Sequence, residues 1–366
     1  LTGARRSVLR IAGARLPWAV LTAGLAAYAV VFLVWSVAPL DLPSATRTLV
    51  GDAAFLPPGL LVALLDWRAS TSHGLSREAH RAWIWLGVAY LAFWLGDALY
   101  FYYDLVNEVP FPSLADAAYL AYYPLLLVGL VSFPRVLRSG AERLRFALDA
   151  ATVALGGAMV VWYFVLGPIA AAGSTDVTET LLAISYPVGD LVLLLGLAII
   201  ALRGPRELPR RALLLLLVGL VVSLAADLAY GVQTLDGTYE SGRWVDTTYI
   251  IAWALLGASA YFAYARPHLE TDPPPSAATS ADSLPLLPYL AVALGYGMLL
   301  AAIGTAWSPT VFGLVVGAGG LTALVVARQV TAVRENVRLV AEREARRGEA
   351  RFRSLVQNAS DVIVVV

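Results

Sequence analysis

The 366-residue chain contains no cysteine and no lysine, and only three histidines and two methionines. The absence of cysteine excludes a disulfide framework and thiol chemistry. His73, His80 and His268 all fall between the apolar runs, so no run carries a His or Cys ligand. A membrane-embedded haem or copper centre is thereby excluded. No glycine-rich phosphate loop and no nucleophile–base pair is visible, so no metal, no cofactor and no catalytic residue is expected. Charge is scarce as well: 14% of residues are charged and 59% are hydrophobic, far from the balance of a soluble domain.

What the chain has instead is ten apolar stretches, at about 17–39, 50–66, 82–103, 114–134, 146–169, 178–202, 211–233, 244–265, 285–304 and 309–328. Each is near the roughly 20 residues that cross a bilayer as helix. This pattern predicts an all-α polytopic membrane protein with ten transmembrane helices. Arginine sets its orientation. Arg5, Arg6, Arg10 and Arg15 precede the first stretch, and Arg68, Arg77 and Arg81 fill the second connection. Arg135, Arg138, Arg143 and Arg145 fill the fourth, Arg203, Arg206, Arg210 and Arg211 the sixth, and Arg266 opens the eighth. The alternate connections hold only Arg47 and Arg243 and lean acidic. The positive-inside bias places both termini in the cytoplasm, with the chain embedded in the lipid of a cell's inner membrane. The zero net charge averages these two sides, and nothing points to nucleic acid.

One spacing recurs. Asp97 and Tyr100 are followed 19 residues later by Asp116 and Tyr119, and Asp227 and Tyr230 are followed by Asp246 and Tyr249 at the same interval. The two sets lie 130 residues apart, an offset that also carries Pro57 and Gly59 onto Pro187 and Gly189. A fixed offset over so long a stretch predicts an internal duplication. Four stretches per unit is an even number, so the copies form a parallel tandem repeat of four plus four, unlike the inverted repeats of many transporters. The expected organisation is a cytoplasmic lead (1–16), a first repeat (17–139), a second repeat (140–266) and an inner Pro/Ser/Ala linker (267–284). A closing hairpin (285–328) and a cytoplasmic signalling helix (329–350) follow.

Asp52, Asp97, Asp116, Asp227 and Asp246 all sit in the outer halves of their stretches. Asp52, Asp116 and Asp246 open theirs and are expected to cap helix N-termini. Asp97 and Asp227 lie near outgoing ends, where the helix dipole disfavours a negative charge. They predict either a polar, ligand-facing cluster with Tyr100, Tyr119, Tyr230 and Tyr249 or simple Asp–Tyr hydrogen bonds. Asp190, deeper in Tyr186-Pro187-Val188-Gly189-Asp190, is the first candidate to face the bundle interior. The ligand of such a site is not named by the sequence. Beyond the last stretch, Ala323, Val326, Val330, Val333, Val337 and Val340 alternate steps of three and four, the seam of a coiled coil. A parallel homodimer along that seam is expected.

The final stretch from Glu349 through Phe352-Arg353-Ser354-Leu355 to Asp361 and the valines beyond resembles the opening helix and first strand of a PAS domain (351–366). The membrane part, through Ser185-Tyr186-Pro187-Val188-Gly189-Asp190 and its Ala-Asp-x-x-Tyr figures, is similar to the N-terminal region of actinobacterial GGDEF/EAL proteins. The resemblance implies a PAS domain and a diguanylate cyclase or cyclic-di-GMP phosphodiesterase further along a longer chain, of which this is a fragment. The resulting expectation is a membrane signal-input module relaying a stimulus to a cytoplasmic output. The alternatives are a small-solute or proton transporter with a regulatory tail, a histidine-kinase sensor region, or a ligand-free membrane scaffold.

Overall fold

The structure is a computed structural model that describes residues 2–72, 75–106, 110–133, 140–172, 177–203, 208–265, 286–304 and 306–362. Every regular element among them is helical, with no strand. In chain order the helices are α1 (Thr2–Val37), α2 (Ser44–Ala53), α3 (Leu56–Ser70), α4 (Arg77–Leu105) and α5 (Leu114–Ser132). They continue with α6 (Gly140–Val161), a π-helical turn (Trp162–Leu166), α7 (Gly167–Ala172), α8 (Val177–Arg203), α9 (Arg210–Leu235) and α10 (Trp244–Ala265). The chain closes with α11 (Leu287–Ala301) and α12 (Pro309–Val362).

Local chemistry fixes several boundaries. Ser76 starts α4 by accepting the Ala79 N–H at 3.1 Å, and Ser113 starts α5 through a reciprocal capping box with Asp116. The second expected stretch begins earlier than its hydrophobicity suggests, at Ser44, and is broken between Ala53 and Leu56. Pro57 and Pro58 cause the break, because neither has an N–H to extend α2. The Ala54 carbonyl that Pro58 leaves free is taken by the Tyr28 hydroxyl at 2.8 Å. Trp94 Nε1 similarly donates to the Leu56 carbonyl at 2.9 Å. Within lipid such side-chain donors are what makes a broken helix tolerable.

Six helices close a ring in which each packs on the next: α3 on α4, α4 on α5, α5 on α8, α8 on α9, α9 on α10, and α10 back on α3. Leu65, Trp83, Leu86, Leu126, Leu130, Leu216, Leu220 and Leu256 are buried inside it. α1 lies outside, against α10. A second group, α6, α11 and α12, packs beside α8 around Met159, Leu314, Ala318 and Leu321. Small residues let its backbones approach. Gly313 receives the Trp162 indole, and Gly156 lies against the Ala291 backbone.

Nine helices among the described residues are long and apolar enough to cross a membrane. They correspond to the expected stretches except the ninth, α11, which has 15 residues and spans about 22 Å, short of the ~30 Å hydrocarbon layer. Many outward side chains are apolar, among them Val30, Val31, Val34, Leu91, Leu95, Val218 and Val221. A water-soluble surface does not carry so much exposed apolar area. α12 runs unbroken for 54 residues, about 80 Å, and so extends far beyond any bilayer it enters. The expected linker at 267–284, His73, His268 and the strand expected at the end of the chain lie outside the described residues.

Candidate functional site

The carboxyl groups singled out by spacing meet tyrosines, but across helices. Tyr119 on α5 donates to Asp97 Oδ1 on α4 at 2.9 Å, and Tyr249 on α10 donates to Asp227 Oδ1 on α9 at 2.7 Å. Tyr100 and Tyr230, one turn from those carboxyls on the same helices, form no hydrogen bond to a carboxylate among the described residues and are about two-fifths exposed (41% and 42%). A phenol carries its hydroxyl further from its backbone than the roughly 5.4 Å between turns, so it overshoots its own helix and reaches a neighbour.

Asp116 and Asp246 each do two things. Asp116 Oδ2 accepts from the Ser113 N–H at 2.7 Å and hydroxyl at 2.9 Å, while Oδ1 accepts from Tyr186 of α8 at 2.5 Å. Asp246 Oδ2 accepts from the Gly242 N–H at 2.6 Å, and Oδ1 accepts from Tyr239 at 2.9 Å. Both therefore hold a helix N-terminus and also a tyrosine. Burial, with Asp246 beside it, pushes the Tyr239 phenol well above its ordinary range. Asp52 is not an N-terminal cap. It lies in the last turn of α2, because that helix starts at Ser44. Its Oδ1 accepts from Ser241 at 2.7 Å, and its buried Oδ2 has no partner.

Asp190 faces the interior as expected. It is 7% exposed and accepts from Tyr123 at 3.3 Å. Between the two Asp–Tyr pairs an aromatic chain fills the ring. Phe93 meets Tyr119 at 5.0 Å, Tyr122 at 5.1 Å and Trp253 at 5.6 Å between ring centroids, and Phe55 joins Trp253 to Tyr249. These edge-on contacts leave a packed interior.

Asp66 was not singled out by sequence, because it stands at the boundary of an apolar stretch next to Trp67 and Arg68. It is 2% exposed, and its Oδ2 has no partner. The signal that could have found it is a carboxylate inside a helix whose length reaches Ser70. No group of three His, Cys, Asp or Glu among the described residues could hold a metal ion.

The six-helix ring, its buried carboxyl–phenol pairs and its apolar exterior define an all-helical protein of the multi-pass membrane type. No protein-family model, curated protein or solved structure matches the chain.

Proposed function

We propose that the chain is a membrane signal-input module, in which a duplicated helical unit passes a change of state through α12 to a cytoplasmic output. The observation that carries this reading is the two-faced character of α12. Leu314 and Leu321 are buried against the bundle, and two turns further on Arg328 bonds to Asp149 of α6. Glu335 then pairs with Arg145 of α6 at 2.9 Å. At 3.6 residues per turn, Ala323, Val326, Val330, Val333, Val337 and Val340 lie on roughly the opposite face. The five valines are 43–64% exposed, although Val330, Val333, Val337 and Val340 sit beyond the apolar stretch. One face is thus tied to the membrane helices, and the other is an apolar stripe with the three-four step that a second identical helix complements. We take a parallel homodimer as its occupant.

Two further features support a duplicated module. The Asp97–Tyr119 and Asp227–Tyr249 bonds are related by the 130-residue offset. So are two close approaches, Gly59 to Trp253 and Gly189 to Tyr123, with the offset exchanging the halves. This is what a two-fold relation about the membrane normal requires, with α11 and α12 as the closing hairpin. Arginine-rich connections orient both termini to the cytoplasm of an inner-membrane protein. The PAS-like end and a GGDEF/EAL or histidine-kinase output remain part of the proposal on the strength of resemblance.

The test is cysteine crosslinking in membranes, which the cysteine-free background permits. Single cysteines placed from Ala323 to Val340 are expected to crosslink with three-four periodicity. Uniform or absent crosslinking would show that α12 is a lone linker helix and would remove the relay.

A further inference from the structure

The short helix α2 is attached to the ring at few points. Of its ten residues only Arg47 and Gly51 are buried. The break that separates it from α3 is itself pinned, because the Ala54 carbonyl takes the Tyr28 hydroxyl and the Leu56 carbonyl takes the Trp94 indole. These bonds fix the top of α3 and leave α2 to turn about residues 53–56. Among the described residues, one side-chain hydrogen bond joins α2 to a later part of the chain. It runs from Ser241, in the connection between α9 and α10, to Asp52 Oδ1 at 2.7 Å. Around it the connection lies flat on α2. A Cβ at Gly51 would fall 2.7 Å from both the Gly242 nitrogen and Ser241 Oγ. Gly242, at φ +76°, in turn covers Arg47 Cγ and the edge of the Trp35 ring, which a Cβ there would meet at 3.1 and 2.8 Å.

This closed arrangement carries costs that water would remove. Asp52 Oδ2 and Arg47 Nη1 are both buried, and neither has a hydrogen-bond partner. Polar atoms left in that state weigh against the fold that buries them. Ser241 Oγ also lies 3.4 Å from Asp246 Oδ2, so two carboxylates converge on one hydroxyl. A hydroxyl has a single proton to donate, and the shorter distance assigns it to Asp52. Asp246 does not depend on it, since the Gly242 N–H at 2.6 Å and Tyr239 at 2.9 Å serve its two oxygens. Loss of the Ser241 hydroxyl therefore falls on the α2 contact alone. A helix hinged at one end, joined by one hydroxyl and burying two unsatisfied charged groups is poised between two positions.

We propose that α2 is a lid on the outer end of the ring, hinged at residues 53–56 and latched shut by the bond from Ser241 to Asp52. Opening carries Asp52 and Arg47 into water and uncovers Asp246, which is 1% exposed when the lid is shut. The lid does not rest on the relay through α12: motion of α2 and pairing along the valine seam are read by separate measurements, and either can fail alone.

The experiment is pulsed electron paramagnetic resonance on the full chain in lipid nanodiscs. Spin labels go on single cysteines at Ser44, exposed at the start of α2, and at Leu181, 61% exposed on α8 across the ring from α3. The cysteine-free background makes the labelling specific. A main distance for the shut lid and a minor one for the open lid are expected. Ser241→Ala should raise the ratio of open to shut about tenfold, the scale of losing a hydrogen bond to a charged group. Gly51→Ala, which wedges the contact without touching the bond, should move the distribution the same way. Adding Asp52→Asn to Gly51→Ala should draw it part of the way back, because the amide still accepts from Ser241 and buries no charge. One distance that stays the same in wild type, Ser241→Ala and Gly51→Ala overturns the lid. A shift in Gly51→Ala without one in Ser241→Ala overturns the latch, and no return on adding Asp52→Asn overturns hydration as the opening force.

Discussion

Gly59 on α3 takes the Trp253 ring of α10, and 130 residues on, Gly189 on α8 takes the Tyr123 ring of α5. The two halves of the ring thus use a small residue at corresponding places to admit a large aromatic from the neighbouring helix. Their polar contents differ. Asp190 corresponds to Leu60, Asp66 to Gly196, and Tyr122 to Ala252 under the same offset. The contact that requires shape is kept, as are the Asp97–Tyr119 and Asp227–Tyr249 bonds, while Asp66 and Asp190 each occur in one half only. The comparison teaches that packing and polarity are separable here: the first builds the ring, and the second gives its halves different chemistry.

The sharpest way to break the comparison is at the glycines. A Cβ at Gly189 would lie 2.5 Å from the Tyr123 ring, whereas at Gly59 it would lie 3.0 Å from the Trp253 ring. Gly189→Ala is expected to cost about 3 kcal/mol and Gly59→Ala about 1 kcal/mol, the range for overpacking a filled interior. Thermal unfolding in detergent, followed by tryptophan fluorescence, would show the order. Equal losses would mean that the two approaches are not alike in kind.

A smaller effect separates the two tyrosine bonds. Tyr119→Phe leaves Asp97, whose buried Oδ2 already has no partner, with no donor on either oxygen. Asp227, by contrast, has no buried oxygen without a partner before the change Tyr249→Phe. The first change should cost about 2–3 kcal/mol and the second about 1 kcal/mol, as for removing a donor from a buried acceptor. The same unfolding measurement on both variants checks it, and a reversed order would contradict the assigned partners.

The smallest effect belongs to the brace between α12 and α6. Arg328 bonds to Asp149 and to Tyr289 and is partly exposed, so Arg328→Gln should lower stability by no more than about 1 kcal/mol. Its consequence is expected in the crosslinking pattern, which should blur first at Val326 and Val330 as α12 loses its fixed rotation. An unchanged pattern would show that Leu314, Leu321 and the Glu335–Arg145 pair set that rotation without it.

Much of this was legible because lipid imposes simple rules. Runs of apolar residues had to be helices, and a 19-residue interval placed Asp and Tyr on successive ones. Some readings needed correction for reasons outside local sequence. Ser44-Ala45-Thr46-Arg47 read as a polar connection, yet it is the start of α2. Arg47 is 5% exposed, donates to the Leu40 carbonyl at 3.1 Å and lies over the Trp35 ring at 5.4 Å, so tertiary contacts hide its charge. The spacing put Tyr100, Tyr119, Tyr230 and Tyr249 alike beside Asp97 and Asp227, but it is the facing helix, through Tyr119 and Tyr249, that supplies the hydroxyl.

The sequence by itself determined the helices, their apolar exterior, the 130-residue offset and the valine stripe of α12, because each follows from residue type at a fixed interval. Only the tertiary structure decided that α5 meets α8 and α10 meets α3. With that came the bonds Tyr186 to Asp116 and Tyr123 to Asp190. Those residues lie up to 70 positions apart, and no local periodicity encodes which helix a buried side chain will find. Ring closure does, because six helices that each must bury a face bring Asp97, Asp116, Asp190 and Asp227 against the tyrosines of the adjacent helix.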